Sequence, residues 1–212
     1  MTALYNEQDA SIFKALTYRL PLLLSGGYCR DMLLGRKPKD MDFMLIADGF
    51  DDEELAEVVK VVNELALDDI MFSTKFYGSY QDTSTCIASF YMQTGGNGEP
   101  REVNILRRIQ GTPHTSAEAV SEYNYTFNQC VFEPNAGVEL AGVSLWASPM
   151  QETEGTFVWV SPMQEALSTQ KIAVWNAAGR PWQNLPKYRD KFPDWRFFES
   201  WDDLATFVAE KL

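Results

Sequence analysis

The chain has one histidine, His114, among 212 residues, and its three cysteines, Cys29, Cys86 and Cys130, stand far apart. A single imidazole and no paired thiols exclude the usual zinc centres. The cysteine spacing offers no disulfide framework, which fits a reducing, cytoplasmic setting. No apolar run approaches the length that crosses a bilayer, so no membrane partner is expected. The opening MTALYNEQDASIF is too acidic and polar for a signal peptide. Bases are scarce as well: 18 Lys and Arg face 30 Asp and Glu, for a net charge of -12. A uniformly acidic protein repels nucleic acid, but this deficit is local. Residues 48–70 hold nine acids and one lysine, whereas Gly26–Lys39 has four bases to one acid and Arg180–Arg196 five bases to two acids. A basic track for an anionic partner survives if the acidic segment points elsewhere.

What is present suits one domain, or one domain with a small extension. Residues 7–20 read as a helix ended by Pro21. LLLSG reads as a short buried strand that stops at Gly26-Gly27, YCRDMLLG as about two helical turns stopped by Gly35, RKPK as a turn, and DMDFMLIA as a strand. Asp51–Asp68 is an amphipathic helix with Leu55, Val58, Val59, Val62 and Leu65 on one face. MFSTKFYGSY, STCIASFYMQ and REVNILRR are strand candidates, the last two joined through the hairpin signal Gly95-Gly96-Asn97-Gly98. A helical start to TSAEAVSEYNYTFNQCVFEP follows. The heptapeptide pattern W-x-S-P-M-Q-E then occurs twice, from Trp146 and from Trp159, as a hairpin or local duplication rather than a solenoid. Composition shifts near Pro134. The expected organisation is a core over 1–133 and an extension over 134–212 packed on it, ending in a helix over Trp201–Leu212. Lys187, Tyr188, Arg189, Lys191 and Arg196, interleaved with Trp182 and Trp195, form either an acceptor-binding surface or an ordinary packed extension.

The stretch that carries chemistry is GGYCRDMLLGRKPKDMDFML. In a strand, alternate residues share a face, so Asp40 and Asp42 point one way while Met41 and Phe43 point into the core. Two adjacent carboxylates repel unless a cation lies between them. Hard oxygen ligands with room left for phosphate oxygens suit Mg²⁺ bound together with a nucleotide, the arrangement of two-metal in-line phosphoryl transfer. Gly26 and Gly27 follow a strand and precede a helix, where bare amides and a helix N-terminus can approach a phosphate. Arg30, on the first turn of that helix, can fork onto phosphate oxygens. A bare Asp-x-Asp on an edge strand would be unremarkable alone; the fixed order of all these parts is not.

That order resembles the signature of the polymerase-beta-type nucleotidyltransferases, and within them the CCA-adding enzymes and bacterial poly(A) polymerases, whose pattern is G-G-x-V-R-D-x-L-L-G-R-x-P-x-D-x-D. Cys29 replaces Val; the other fixed positions are kept. The resemblance implies that Asp40 and Asp42 bind two catalytic Mg²⁺ ions and that Gly26, Gly27 and Arg30 contact the triphosphate. REVNILRR resembles the family strand E-V-A-T-F-R, which places Glu102 as a third acid and Arg107 at the family arginine. EYNYTFNQC resembles R-R-D-F-T-I-N-A: Thr126 and Asn128 match, with Asn128 among the nucleotide-binding positions. Glu122 and Tyr123 stand where the family has two arginines, and Asn124 stands for its aspartate. The resemblance spans roughly 20–133 and implies an α+β fold, a mixed and mainly antiparallel sheet flanked by helices, in a minimal form without the family's helical tRNA-binding domains. The implied activity is metal-dependent transfer of NMP from an NTP to a hydroxyl, with an RNA 3′ end of tRNA type as the expected acceptor. A protein or small-molecule acceptor, or a non-catalytic nucleotide-binding module, are the alternatives.

Overall fold

The structure, a computed structural model, describes residues 2–46, 52–67, 71–76, 86–93, 99–107, 115–121, 123, 125–134, 154–160, 172–174 and 185–210. Strand β1 (Thr2–Ala3) leads into α1 (Glu7–Thr17). The Asn6 side chain caps α1 by accepting from the Asp9 N–H, and its Ile12, Phe13 and Leu16 form the buried stripe. Next come β2 (Leu22–Ser25), α2 (Gly27–Leu33), β3 (Asp40–Leu45), α3 (Asp52–Leu67), β4 (Met71–Phe76), β5 (Cys86–Met92), β6 (Arg101–Arg107) and α4 (Ser116–Val120). A 3₁₀ turn (Thr126–Asn128), β7 (Cys130–Pro134), β8 (Glu154–Trp159), β9 (Ile172–Val174), α5 (Leu185–Lys191), β10 (Arg196–Phe198) and α6 (Trp201–Ala209) complete the order.

Eight strands form one sheet in the order β1-β8-β7-β2-β3-β6-β5-β4. Every described pairing in it is antiparallel except β3 with β6, which run parallel. The mixed, mainly antiparallel sheet with flanking helices is therefore the architecture expected from the sequence. Consecutive β5 and β6 pair antiparallel as a hairpin should; its Gly95–Gly98 turn lies outside the described residues. The boundary placed at Pro134 falls between two adjacent strands of one sheet, since β7 pairs along its length with β8. A separate parallel pair, β9 and β10, stands apart from the main sheet.

Strand alternation divides the sheet into two unlike faces. On one face Leu22, Leu24, Met41, Phe43, Leu45, Val103 and Ile105 join residues of α1 together with Val58, Val61 and Val62 of α3 in the largest core cluster. Val61 was not among the residues expected on that face of α3, and Leu55 and Leu65 have no described side chains. The opposite face carries a smaller cluster, in which Leu23, Met44 and Val131 meet Ala119 and Val120 of α4. Asp40, Asp42, Glu102 and Asn104 share the alternation of this second face. A third, aromatic cluster gathers Tyr125 and Phe127 with Leu185, Phe192 and Leu204 from the C-terminal segment. Among the described residues no helix is long and apolar enough to cross a membrane.

Candidate active site

β3 sits between β2 and β6 near the middle of the sheet. Register places Asp40 opposite Glu102 and Asp42 opposite Asn104, with Ser25 across the other edge from Asp42. Met41 and Phe43 are fully buried beneath, as alternation requires. The Asn104 amide donates to Asp42 Oδ1 at 3.0 Å. Burial, followed by the charge of Asp40, pushes the Asp42 carboxyl up to about 6, although Asn104, Arg30 and the Gly27 amide all favour its ionised form. A like-charged pair that stays this uncomfortable despite three compensating partners is what a divalent cation would relieve. The donors are oxygens only, which suits Mg²⁺. Among the described residues no three carboxylate, thiol or imidazole groups converge to hold a metal alone. Asp40 and Asp42 thus form a pair, and Glu102 reaches their neighbourhood only through strand register.

The glycines earn their place differently from the amide cradle expected. The N–H of Gly26 is taken by the Cys130 carbonyl at 2.8 Å, because this residue still pairs with β7. The Gly27 N–H lies near enough to Asp42 to favour its ionised form. What Gly26 supplies is a φ of 71°, in the left-handed region, and the absence of a Cβ. A Cβ there would lie 3.2 Å from the Tyr123 hydroxyl and 3.3 Å from Asp42 Oδ2. At Gly27 the added atom would meet Arg30 Nη2, Asp42 Oδ2 and Asp40 Oδ1, all within 3.9 Å. Those are ordinary contact distances, so it is Gly26 whose missing Cβ lets Tyr123 and Asp42 close in on the backbone. At the other end of α2, Gly35 (φ 65°) closes the helix: its N–H bonds the Met32 carbonyl and that of Arg36 the Asp31 carbonyl.

Arg30 is not an open phosphate fork. It is 3 % exposed. Its Nε and Nη2 both bond Asp31 Oδ1, at 3.0 and 2.8 Å, and Nη1 donates to Asn128 Oδ1. Its guanidinium lies 5.0–5.8 Å from the ring centroids of Phe127, Tyr188 and Phe192. Asn128 in turn donates to the Tyr188 hydroxyl at 3.1 Å, and Lys191 reaches the second oxygen of Asp31 at 2.8 Å. Helix α5, with Phe192 just beyond it and Phe127 of the 3₁₀ turn, therefore encloses Arg30 from outside. Tyr188, Lys191 and Trp195, candidates for an acceptor surface, are used in this packing, while Lys187 and Arg189 remain exposed. Trp182 lies outside the described residues, as does the side chain of Arg107, whose backbone ends β6 opposite Leu45.

Cys29, the one departure within the signature, is a buried filler whose thiol donates to the Leu24 carbonyl; burial and then Asp42 push its pKa well up. Trp159, which opens the second W-x-S-P-M-Q-E copy, is buried in β8 with its indole N–H on the Phe127 carbonyl at 3.0 Å; the first copy lies outside the described residues. So do Glu122 and Asn124. Tyr123 is described, and the sequence marks it only as the replacement of a family arginine. Its hydroxyl bonds Ser25 Oγ at 2.8 Å, and burial followed by the charge of Asp42 raises its pKa well above the ordinary phenol value. The signal was available in principle: a tyrosine interrupting a positively charged family pattern.

No protein-family model matches the chain, and no curated protein matches it in sequence. Solved structures do. A CCA-adding enzyme in its apo form II shares 16 % identity at a TM-score of 0.54, over 98 % of this chain and 46 % of its own. A CCA-adding enzyme complexed with ATP gives 13 % and 0.55, covering 98 % and 43 %. The Thermotoga maritima CCA-adding enzyme complexed with tRNA gives 14 % and 0.53, covering 98 % and 43 %. The chain spans less than half the length of each. The described residues thus share a fold found within the CCA-adding enzymes, the nucleotidyltransferase type of α+β architecture.

Proposed function

We propose that the chain is a metal-dependent nucleotidyltransferase that moves a nucleoside monophosphate from an NTP to a hydroxyl, most closely suited to an RNA 3′ end of tRNA type. In the transfer, a bond forms between the acceptor oxygen and the α-phosphorus, the bond to the bridging oxygen breaks, and pyrophosphate leaves with the acceptor proton lost to base or solvent. The observation that carries the reading is the Asp40/Asp42 pair, held side by side on a central strand with Asp42 raised to about 6. Two Mg²⁺ ions held there with the nucleotide would neutralise triphosphate charge and acidify the acceptor hydroxyl. The chain's own residues set the stage. Asn104 donates to Asp42 Oδ1, and Asn104, Arg30 and the Gly27 amide all favour the ionised form of Asp42. Arg30 supplies buried positive charge behind the pair, braced by Asp31 and Asn128. Glu102, in register with Asp40 on the same face, is the carboxylate nearest in the sheet to receive the acceptor proton. Support for a nucleotide and RNA substrate comes from the fold shared with proteins solved with ATP and with tRNA.

The test is incubation with each α-labelled NTP, Mg²⁺ and a mixed tRNA pool. Label should move to RNA, and should disappear in Asp40→Ala and in Asp42→Ala while circular dichroism shows the fold intact. Label retained in both variants removes the assigned role. Label on a protein or small molecule changes the acceptor but keeps the chemistry. A second reading, a non-catalytic nucleotide-binding module, is favoured by one observation: the Gly26 amide, Arg30 and Asn128 are all committed to protein partners. It predicts an Mg²⁺-dependent thermal shift with NTP and no pyrophosphate release with any acceptor.

A further inference from the structure

Tyr123 and Ser25 share one hydrogen bond between two hydroxyls, 2.8 Å apart. Two hydroxyls bring two protons, and a mutual bond uses one. Neither side chain has another hydrogen-bond partner among the described residues. Ser25 is fully buried at the end of β2, whereas Tyr123 keeps some exposure. The simplest arrangement has Ser25 donating to the phenol oxygen, which leaves the phenol proton directed outward. That proton emerges at a defined place. The Tyr123 oxygen and Asp42 Oδ2 approach the same missing Cβ of Gly26, at 3.2 and 3.3 Å. A spare donor is therefore held at the rim of the carboxylate pair, and it carries no charge of its own. Buried or half-buried donors without an acceptor are uncommon in folded proteins unless a ligand or water completes them.

We propose that Tyr123 is a substrate-contacting residue of this site, its hydroxyl held by Ser25 and donating to a polyphosphate oxygen of the bound NTP. The inference rests on the nucleotidyltransferase reading and adds to it a neutral phosphate contact on the Gly26 side of the pair. Because this contact brings no cation, and Arg30 is enclosed, ions held at Asp40 and Asp42 would supply much of the charge that holds the triphosphate. Binding of NTP should then be nearly absent without Mg²⁺.

Isothermal titration with Mg²⁺ and a non-hydrolysable NTP, with pyrophosphate, and with NMP separates the possibilities. In Tyr123→Phe the ring and its packing stay but the buried Ser25 hydroxyl loses its acceptor, so the melting temperature without ligand should fall modestly, and Ser25→Ala in the same variant should recover it. Affinity for the Mg²⁺ complexes of NTP and pyrophosphate should fall about tenfold, the usual loss of one hydrogen bond to a charged group. Affinity for NMP, which lacks the β- and γ-phosphates, should hold. Ser25→Ala, which frees the phenol without deleting it, should give a smaller loss in the same two ligands. Unchanged or tighter NTP binding in Tyr123→Phe overturns the proposal and makes the phenol a packing element or a plug, while leaving nucleotidyl transfer intact. Failure of the parent protein to bind any Mg²⁺·NTP removes the nucleotide reading itself, and with it this contact.

Discussion

Replacing Asp42 with Asn should make the metal-free protein more stable while abolishing its chemistry. The reasoning starts from the carboxyl, which moves from an ordinary 3.8 to about 6 in the fold. A gap of about two pH units corresponds to roughly 3 kcal/mol. Its sign follows from linkage. The folded state binds this proton more tightly than the unfolded chain, so below the ordinary value Asp42 is protonated in both states and adds no penalty. Between about 4 and 6 the unfolded chain ionises first, and folding loses free energy as pH rises; above about 6 the loss is complete. Asn cannot ionise and escapes that penalty, and its amide oxygen can still accept from Asn104. The attraction to Arg30 is already contained in that shift, so the net gain should approach about 3 kcal/mol, at roughly 2–4 °C in Tm for each kcal/mol. Urea denaturation in EDTA, for both proteins, at about pH 7 and about pH 4 measures it: the difference should be present at the first and nearly vanish at the second. With Mg²⁺ and NTP added, the parent should gain stability and the variant should not. A variant less stable than the parent at neutral pH in EDTA, or a difference that ignores pH, would refute the argument that the pair is strained without its ions.

Other outcomes follow from the same geometry. Gly26→Ala should cost about 1–3 kcal/mol by urea titration, through its left-handed φ and its contact with Tyr123 and Asp42; the further change Tyr123→Ala should relieve only the contact. Asp31→Ala leaves Arg30 buried without its carboxylate and should cost about 3–5 kcal/mol, whereas Lys191→Ala, at the rim of the same group, should cost no more than about 1 kcal/mol. Asn104→Ala removes a donor that lowers the Asp42 pKa. Its acidic limb of activity should therefore move to higher pH, and more Mg²⁺ should be needed for half-maximal rate.

Much of this site follows from local rules. Alternation alone sets Asp40 and Asp42 on one face and buries Met41 and Phe43, because a strand has no other way to dispose them. Gly35 was legible as a helix stop because its left-handed turn is a local demand. The fate of Arg30 was not. Its carboxylate is its chain neighbour, but Lys191 and Tyr188 come from α5, Phe192 from just beyond it and Phe127 from the 3₁₀ turn, all far along the chain, and nothing in GGYCRDMLLG announces them. The engagement of the Gly26 amide was illegible for a similar reason. Whether an amide is free depends on a pairing between β2 and β7, and the register of a distant strand leaves no mark on a Gly-Gly pair. Tyr123 looked like the loss of a cation, and only coordinates show it beside Ser25 and Asp42.

The strand order bears on how this protein comes off the ribosome. Leu22–Ser25 and Asp40–Leu45 emerge early and can zip together at once, but the outer neighbour of β2 is β7, and β7 needs β8 beyond it. Until Val131 is synthesised, the Ser25 end of β2 lacks its outer neighbour, and an unpaired strand end beside the apolar Leu22–Leu24 run is the kind of surface that invites association between nascent chains. A pause or truncation just upstream of Cys130 should therefore yield aggregates that a pause after Trp159 does not.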